Sequence, residues 1–453
     1  MKNSKLLSAI FLFVLFEFLI VDSFFLNLAI ILPLVIGTIY RDDKATCIHA
    51  LICKYMKIIY VTLFLARFIA NRISAKDSYF GRVVIDGSNV DQAMFICSVF
   101  TTSFLCGVLF SHSLKQGACN LELGFDTKDL LWLRTYARIG SAFSLSGFVT
   151  YVIFSGSPTD FVTMLKMHDK TLVGTSGIAS LGLSIWAILS ASSVTLALLY
   201  SMIAKSYSEF LYIIVVFLIY IFILGSRLDL FSIFLNLFIL HTVFSRRNAV
   251  VFIASAAFVL IPISIYILNV RVKIVKEQVG FLNSITYPIL DASQVVIIQP
   301  KASFETALHF NRILELASGY IPRFLNVDKP SIQNLRLDTI VANSLGTEMQ
   351  RGRTGWPTGA FTEFFIIGNF YFLVLASFAI GIMMSLLCLK IIQNNKLVGP
   401  LVLKLLVIFG FLLAWYKDGD FFVTIQGSIR LYVYSLIVIF AISKYRGFRD
   451  RIK

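Results

Sequence analysis

The stretch that decides the fold is GWPTGAFTEFFIIGNFYFLVLASFAIGIMMSLLCL, residues 355–389. It begins in a polar, glycine-punctuated segment, passes one carboxylate at Glu363, and carries no charge from Phe364 to Leu389. About 20 consecutive apolar residues suffice to span a bilayer as a helix, so this run predicts a membrane helix. In lipid each backbone N–H and C=O must be satisfied internally, which makes such a run a helix and not an open strand.

Working outward, the same pattern recurs along the whole chain. Twelve candidate spans follow from it: 6–21, 23–40, 56–73, 92–111, 138–155, 178–203, 208–225, 228–245, 249–269, 362–389, 398–416 and 423–443. Composition agrees, with 58% hydrophobic residues and 14% charged ones, against about 25% charged in soluble domains. The expected fold class is all-α, a polytopic membrane helix bundle. Residues 1–453 read as one membrane domain, with no internal repeat and no composition break. The N-terminal Met1-Lys-Asn-Ser-Lys5 and its apolar run lack a small-residue cleavage site, and Glu17 and Asp22 stand where one belongs. They read as a retained first helix and not a signal peptide. The cysteines, at 47, 53, 97, 106, 119 and 388, have no metal-ligand spacing and read as reduced thiols.

Basic residues orient the bundle, since short cytoplasmic loops are enriched in Lys and Arg. Lys2, Lys5, Arg41, Lys44, Lys54, Lys57, Lys115, Lys128, Arg134, Arg138, Lys205, Arg246, Arg247, Lys390, Lys396 and the cluster Lys444, Arg446, Arg449, Arg451 and Lys453 fall in the loops and tail of one side. Both termini are then expected in the cytoplasm, and residues 270–361 form a large outer loop between predicted helices 9 and 10. That loop holds Arg271, Lys273, Lys276, Lys301, Arg312, Arg323, Lys329, Arg336, Arg351 and Arg353. Long loops translocate regardless of charge, so a basic outer loop points to an anionic partner there. The competing reading is a solvated surface balanced by its own carboxylates. Within the loop, Ala307, Phe310, Leu314 and Ala317 fall on one face of an amphipathic helix over 301–318, and 284–300 is a second short candidate.

A few charges lie at membrane edges. Gly225-Ser-Arg-Leu-Asp229 joins two apolar runs almost without a loop. An Arg near the hydrocarbon is expensive and marks a functional candidate; pairing of Arg227 with Asp229 is the alternative. Arg67 and Arg72 read as interfacial anchors, and Arg430 follows the outer turn Lys417-Asp-Gly-Asp-Phe-Phe422. Glu363 sits where the loop re-enters the membrane. There, partial desolvation lifts a carboxylate toward the range useful to a general base, while a helix-dipole carboxylate is the structural alternative. There is no P-loop, G-x-G-x-x-G, H-E-x-x-H or D-x-D signature, so no nucleotide, metal or other cofactor is expected, and nothing suggests a nucleic-acid partner.

Three segments together carry a resemblance: Gly225-Ser-Arg227 between two helices, Tyr320-Ile-Pro-Arg-Phe-Leu-Asn-Val-Asp-Lys-Pro330, and Thr358-Gly-Ala-Phe-Thr-Glu-Phe-Phe-Ile-Ile-Gly368. With a dozen spans and one large outer loop in the second half, the chain resembles the O-antigen polymerase (Wzy-type) family along its whole length. It is similar more loosely to the O-antigen ligases. Many relatives have Trp-Pro where this chain has Asn326-Val327. The resemblance implies a metal-independent glycosyltransferase of the bacterial inner membrane. Its active site would face the periplasm, and it would join oligosaccharide repeat units carried on undecaprenyl diphosphate. A flippase and a chain-length regulator of the same pathway are the implied partners. Arg227 and Arg323 are the candidates for the leaving diphosphate, because a guanidinium forks onto phosphate oxygens. Arg336, Arg351 and Arg353 are candidates for holding the second lipid-linked glycan. Glu363, Asp328 and His309 are the candidates for the base that takes the acceptor's proton. A ligase that moves glycan to lipid A core, and a lipid-linked oligosaccharide flippase, are the alternatives.

Overall fold

Gly359 adopts φ 75°, a left-handed conformation that glycine tolerates best, and the chain passes from it directly into a long helix, Ala360–Gln393. The computed structural model describes residues 24–36, 48–65, 68–69, 78–80, 83–85, 87–114, 125–154, 177–204, 232–233, 235–237, 359–394, 398–419 and 421–452. In chain order these form α1 (Phe24–Ile36), α2 (Ile48–Ile59) running into a π-helical turn (Tyr60–Leu65), strands β1 (Ser78–Phe80) and β2 (Val83–Ile85), α3 (Gly87–Leu114), α4 (Thr127–Phe154), α5 (Gly177–Ala204), α6 (Ala360–Gln393), α7 (Val398–Asp418) and α8 (Phe421–Ile452).

Seven helical segments among the described residues are long and apolar enough to cross a membrane, and α1 is a shorter apolar helix. The protein is a membrane-embedded helical bundle. The predicted spans 6–21, 208–225 and 249–269 lie outside the described residues, as do most of 228–245 and the loop through residue 358.

Two span boundaries need correction. The span placed at 56–73 begins eight residues earlier, at Ile48, and its regular helix passes into the π turn at Tyr60. Lys54 and Lys57 had argued for a loop, but both lie within the helical segment and are only partly exposed, as long basic stems are when their heads reach for water. The span placed at 138–155 begins at Thr127. There the Asp126 carboxylate accepts the Asp129 N–H at 2.7 Å and Asp129 returns a bond to the Asp126 N–H at 3.4 Å, a reciprocal cap that starts the helix before the hydrocarbon. Beside the helices stands a short antiparallel hairpin, in which Ser78 pairs with Ile85 and Phe80 with Val83. The β-branched run Val83-Val-Ile85 favours that state.

Two apolar clusters organise the helices. The first joins α1, α2 with its π turn, α3 and α6 to one side of α7 through residues such as Ile52, Tyr60, Phe100, Phe361, Phe409 and Trp415. The second joins α4, α5 and α8 to other α7 residues through Trp132, Tyr136, Trp186, Val402, Leu406 and Val438. Helix α7 therefore runs between the two, with 72% of its apolar window buried. Small residues let the backbones approach, as is usual where lipid offers no hydrophobic drive between helices. A Cβ on Gly107 would collide with the Phe378 carbonyl oxygen and one on Gly381 with that of Phe104, which locks α3 to α6. Gly147 and Gly182 do the same for α4 and α5, where an added Cβ on either comes within 2.9 Å of the other's carbonyl.

Candidate functional site

Glu363 is the one sequence-predicted site residue that the described residues contain, and its setting is specific. It lies in the first turn of α6, at the head of the uncharged run that begins at Phe364. Only 3% of its surface is exposed. Oε2 accepts the Trp415 indole N–H at 3.2 Å, and the Phe421 backbone N–H lies 3.0 Å from each carboxylate oxygen. Phe421 is the first residue of α8. The carboxylate of one helix thus caps the N-terminus of another while holding the end of a third.

The surrounding turn follows from sequence. Gly419, at φ 71°, ends α7 and donates its N–H to the Trp415 carbonyl at 2.9 Å, the left-handed glycine cap of a helix C-terminus. Thr424 Oγ1 then donates to the Gly419 carbonyl at 3.2 Å, which folds the start of α8 back over that cap. Aromatic rings close the site against water. Trp415 has Phe100, Phe364, Phe411 and Phe421 around it with ring centroids 5.4–5.9 Å away, and Phe64 bridges Phe361 and Tyr416. Behind them a buried polar layer joins Tyr416 to Thr101 and Cys97, and Tyr60 to Ser98 at 2.8 Å and the Ile30 carbonyl at 2.9 Å. Burying a carboxylate is costly unless hydrogen bonds replace its water. Here an indole, a backbone amide and a helix N-terminus, which favours negative charge, replace it.

The opposite end of the bundle repeats the device. Asp129, 4% exposed, accepts the Val398 N–H at 3.0 Å and the Gly399 N–H at 3.3 Å, so a carboxylate on α4 caps the start of α7. Both ends of the central helix are fixed by acids from other helices. Near that same end the His49 and His112 rings of α2 and α3 stand 4.9 Å apart. Among the described residues no group of three or more His, Cys, Asp or Glu side chains converges as a metal site would need.

Sequence reasoning did not anticipate Trp415, Phe421 or Asp129 in these roles. The available signals were the glycine in Lys417-Asp-Gly-Asp420 and the Asp126-x-x-Asp129 spacing, each a recognisable cap. Arg227, Arg323, Arg336, Arg351, Arg353, Asp328 and His309 lie outside the described residues. Comparison with protein-family models, with curated proteins and with solved structures gives no match.

Proposed function

We propose that the chain polymerises oligosaccharide repeat units carried on undecaprenyl diphosphate, working at the periplasmic face of the bacterial inner membrane with both termini in the cytoplasm. The observation that carries this reading is a continuity. The arginine-rich segment 270–361 runs through Gly359 into the buried Glu363 cluster, where the ends of α6, α7 and α8 meet. An anion-binding loop anchored at one end of a helical bundle suits a donor held in the membrane and activated by diphosphate.

The chemistry is a glycosyl transfer. The bond between the donor's anomeric carbon and the diphosphate oxygen breaks, and the acceptor hydroxyl forms the new glycosidic bond. The hydroxyl proton passes to a base, and undecaprenyl diphosphate leaves with its charge. Arg227 and Arg323 neutralise that charge, each charge-assisted hydrogen bond contributing roughly 1.5–3 kcal/mol. Arg336, Arg351 and Arg353 hold the second lipid-linked glycan. A base must reach the proton it takes, and Glu363 is already engaged by Trp415 and Phe421. Glu363 is therefore a positioning residue in this scheme, and Asp328 and His309 stand as the candidates for the base.

The test is a pair of conservative variants, Arg227→Lys and Arg323→Lys, which keep charge and lose the planar fork. Shortened or absent glycan ladders at unchanged protein levels support the assignment. Normal ladders from both variants overturn it, and transfer of a single preformed glycan to lipid A core would make the protein a ligase.

A further inference from the structure

Among the described residues, helix α8 is the least enclosed of the seven spanning helices: 17% of its apolar window, Gly427–Lys444, is buried. One face packs inward through Ser435, Val438 and Ile442, with the Tyr136 hydroxyl donating to Ser435 Oγ at 3.0 Å. The other face is a continuous exposed stripe of Ile429, Tyr432, Val433, Leu436, Ile437 and Phe440. At 1.5 Å per residue it runs about 16 Å, the depth of one leaflet in a hydrocarbon core of about 30 Å.

One cation stands at the outer end of this stripe. Arg430 is exposed, one turn above Val433 and Tyr434. The only carboxylate on α8 is Asp450, roughly 30 Å further along the axis. Beside Arg430, the exposed Gly427 leaves open space, since a Cβ there would meet nothing within 4 Å. A guanidinium facing lipid at the edge of the hydrocarbon is costly without an anion. An apolar strip one leaflet deep, headed by a guanidinium, complements an amphiphile with an anionic head and a long hydrocarbon tail.

We propose that this face of α8 is the docking surface for the polyprenyl diphosphate carrier, with Arg430 forked onto the diphosphate and the prenyl chain laid along Ile429–Phe440. The proposal rests on the substrate reading above and adds the place where the carrier waits before reaction. A diphosphate offers the guanidinium more charge and more oxygens than the single phosphodiester of phosphatidylglycerol, so Arg430 selects the carrier over bulk lipid. The same helix begins at Phe421, on the Glu363 carboxylate, which connects the docking face to the proposed reaction end.

The test uses the full chain in nanodiscs of phosphatidylethanolamine and phosphatidylglycerol doped with undecaprenyl diphosphate, with bound lipid read by native mass spectrometry. The wild type is expected to retain undecaprenyl diphosphate at least tenfold over phosphatidylglycerol at equal mole fraction. In a background carrying Arg227→Ala and Arg323→Ala, which removes the reaction-site contacts to the same diphosphate and should retain the preference, Arg430→Leu should lose it, Arg430→Lys should keep part of it, and Lys444→Leu at the inner end should keep all of it. Leu at a lipid-facing position favours insertion, so loss of binding in Arg430→Leu is not loss of assembly. A photo-crosslinker replacing Val433 should capture the prenyl chain. Equal retention of the two lipids by the wild type, unchanged selectivity in Arg430→Leu, or a crosslink from position 433 into the protein's own chain each overturn the proposal. The assay reads binding without turnover. A protein that builds polymer while Arg430→Leu binds normally refutes the docking surface alone and leaves the polymerase reading standing.

Discussion

Replacing Glu363 separates a staple from a base. Glu363→Ala leaves the Trp415 indole N–H and the Phe421 backbone N–H without their acceptor in a site that is 3% exposed. Each buried donor left unsatisfied costs roughly 1–3 kcal/mol, and losing a helix cap costs about 0.5–2 kcal/mol. These overlap at Phe421, so the expected loss is about 3–5 kcal/mol. Glu363→Gln keeps one carbonyl acceptor but loses the charge at the α8 N-terminus and sets an amide donor against an N–H, for about 1–2 kcal/mol. Unfolding in mixed micelles, followed by tryptophan fluorescence, measures both. A double-mutant cycle with Trp415→Phe should show coupling of about 1 kcal/mol or more. Glycan synthesis at a temperature where Glu363→Gln is folded then decides the role. A staple predicts turnover that follows the folded fraction, whereas a general base predicts a further loss of about 10²–10⁴-fold. Glu363→Ala within about 0.5 kcal/mol of wild type would refute the staple.

Further outcomes follow from the caps and the close packing. Asp129→Ala should destabilise by about 2–4 kcal/mol, because two buried N–H groups at the start of α7 lose their acceptor; the same micelle titration reports it. Gly381→Ala should cost about 1–3 kcal/mol by forcing α3 and α6 apart, while Gly410→Ala, where an added Cβ meets nothing within 4 Å, should be neutral or slightly stabilising. Asp126 is held below its ordinary value of 3.8, chiefly by the Asp129 backbone N–H. Its contribution is therefore complete above about pH 4 and fades as pH falls through the lowered value. The stability gap between wild type and Asp126→Ala should close on acidification and stay constant from neutrality upward.

The legible part of the fold was what hydrophobic length encodes. The runs that became α3, α5, α6, α7 and α8 were readable because twenty apolar residues have one solution in lipid. The errors fell where charge and helix overlap. Lys54, Lys57 and Arg134 looked like loop residues, yet they lie inside α2 and α4. The hairpin at Ser78–Ile85 was missed because two three-residue strands give too short an alternation to stand out. At the site, Glu363 was identifiable as an acid at a membrane entry. Its partners were not, since Trp415 and Phe421 lie on two other helices that only tertiary packing brings to it. Asp129 was not singled out, because nothing local shows that its carboxylate reaches a helix start beyond residue 397.

The most direct test of the central claim is a reconstitution. The full chain, purified into vesicles, is given a synthetic undecaprenyl-diphosphate-linked repeat unit in the presence of a chelator, and the lipid-linked products are separated by size. The account predicts dimers and longer oligomers, with one undecaprenyl diphosphate released per bond formed and synthesis sharply reduced in Arg323→Lys. Only unreacted single units, from protein that still binds the lipid-linked substrate, would contradict it.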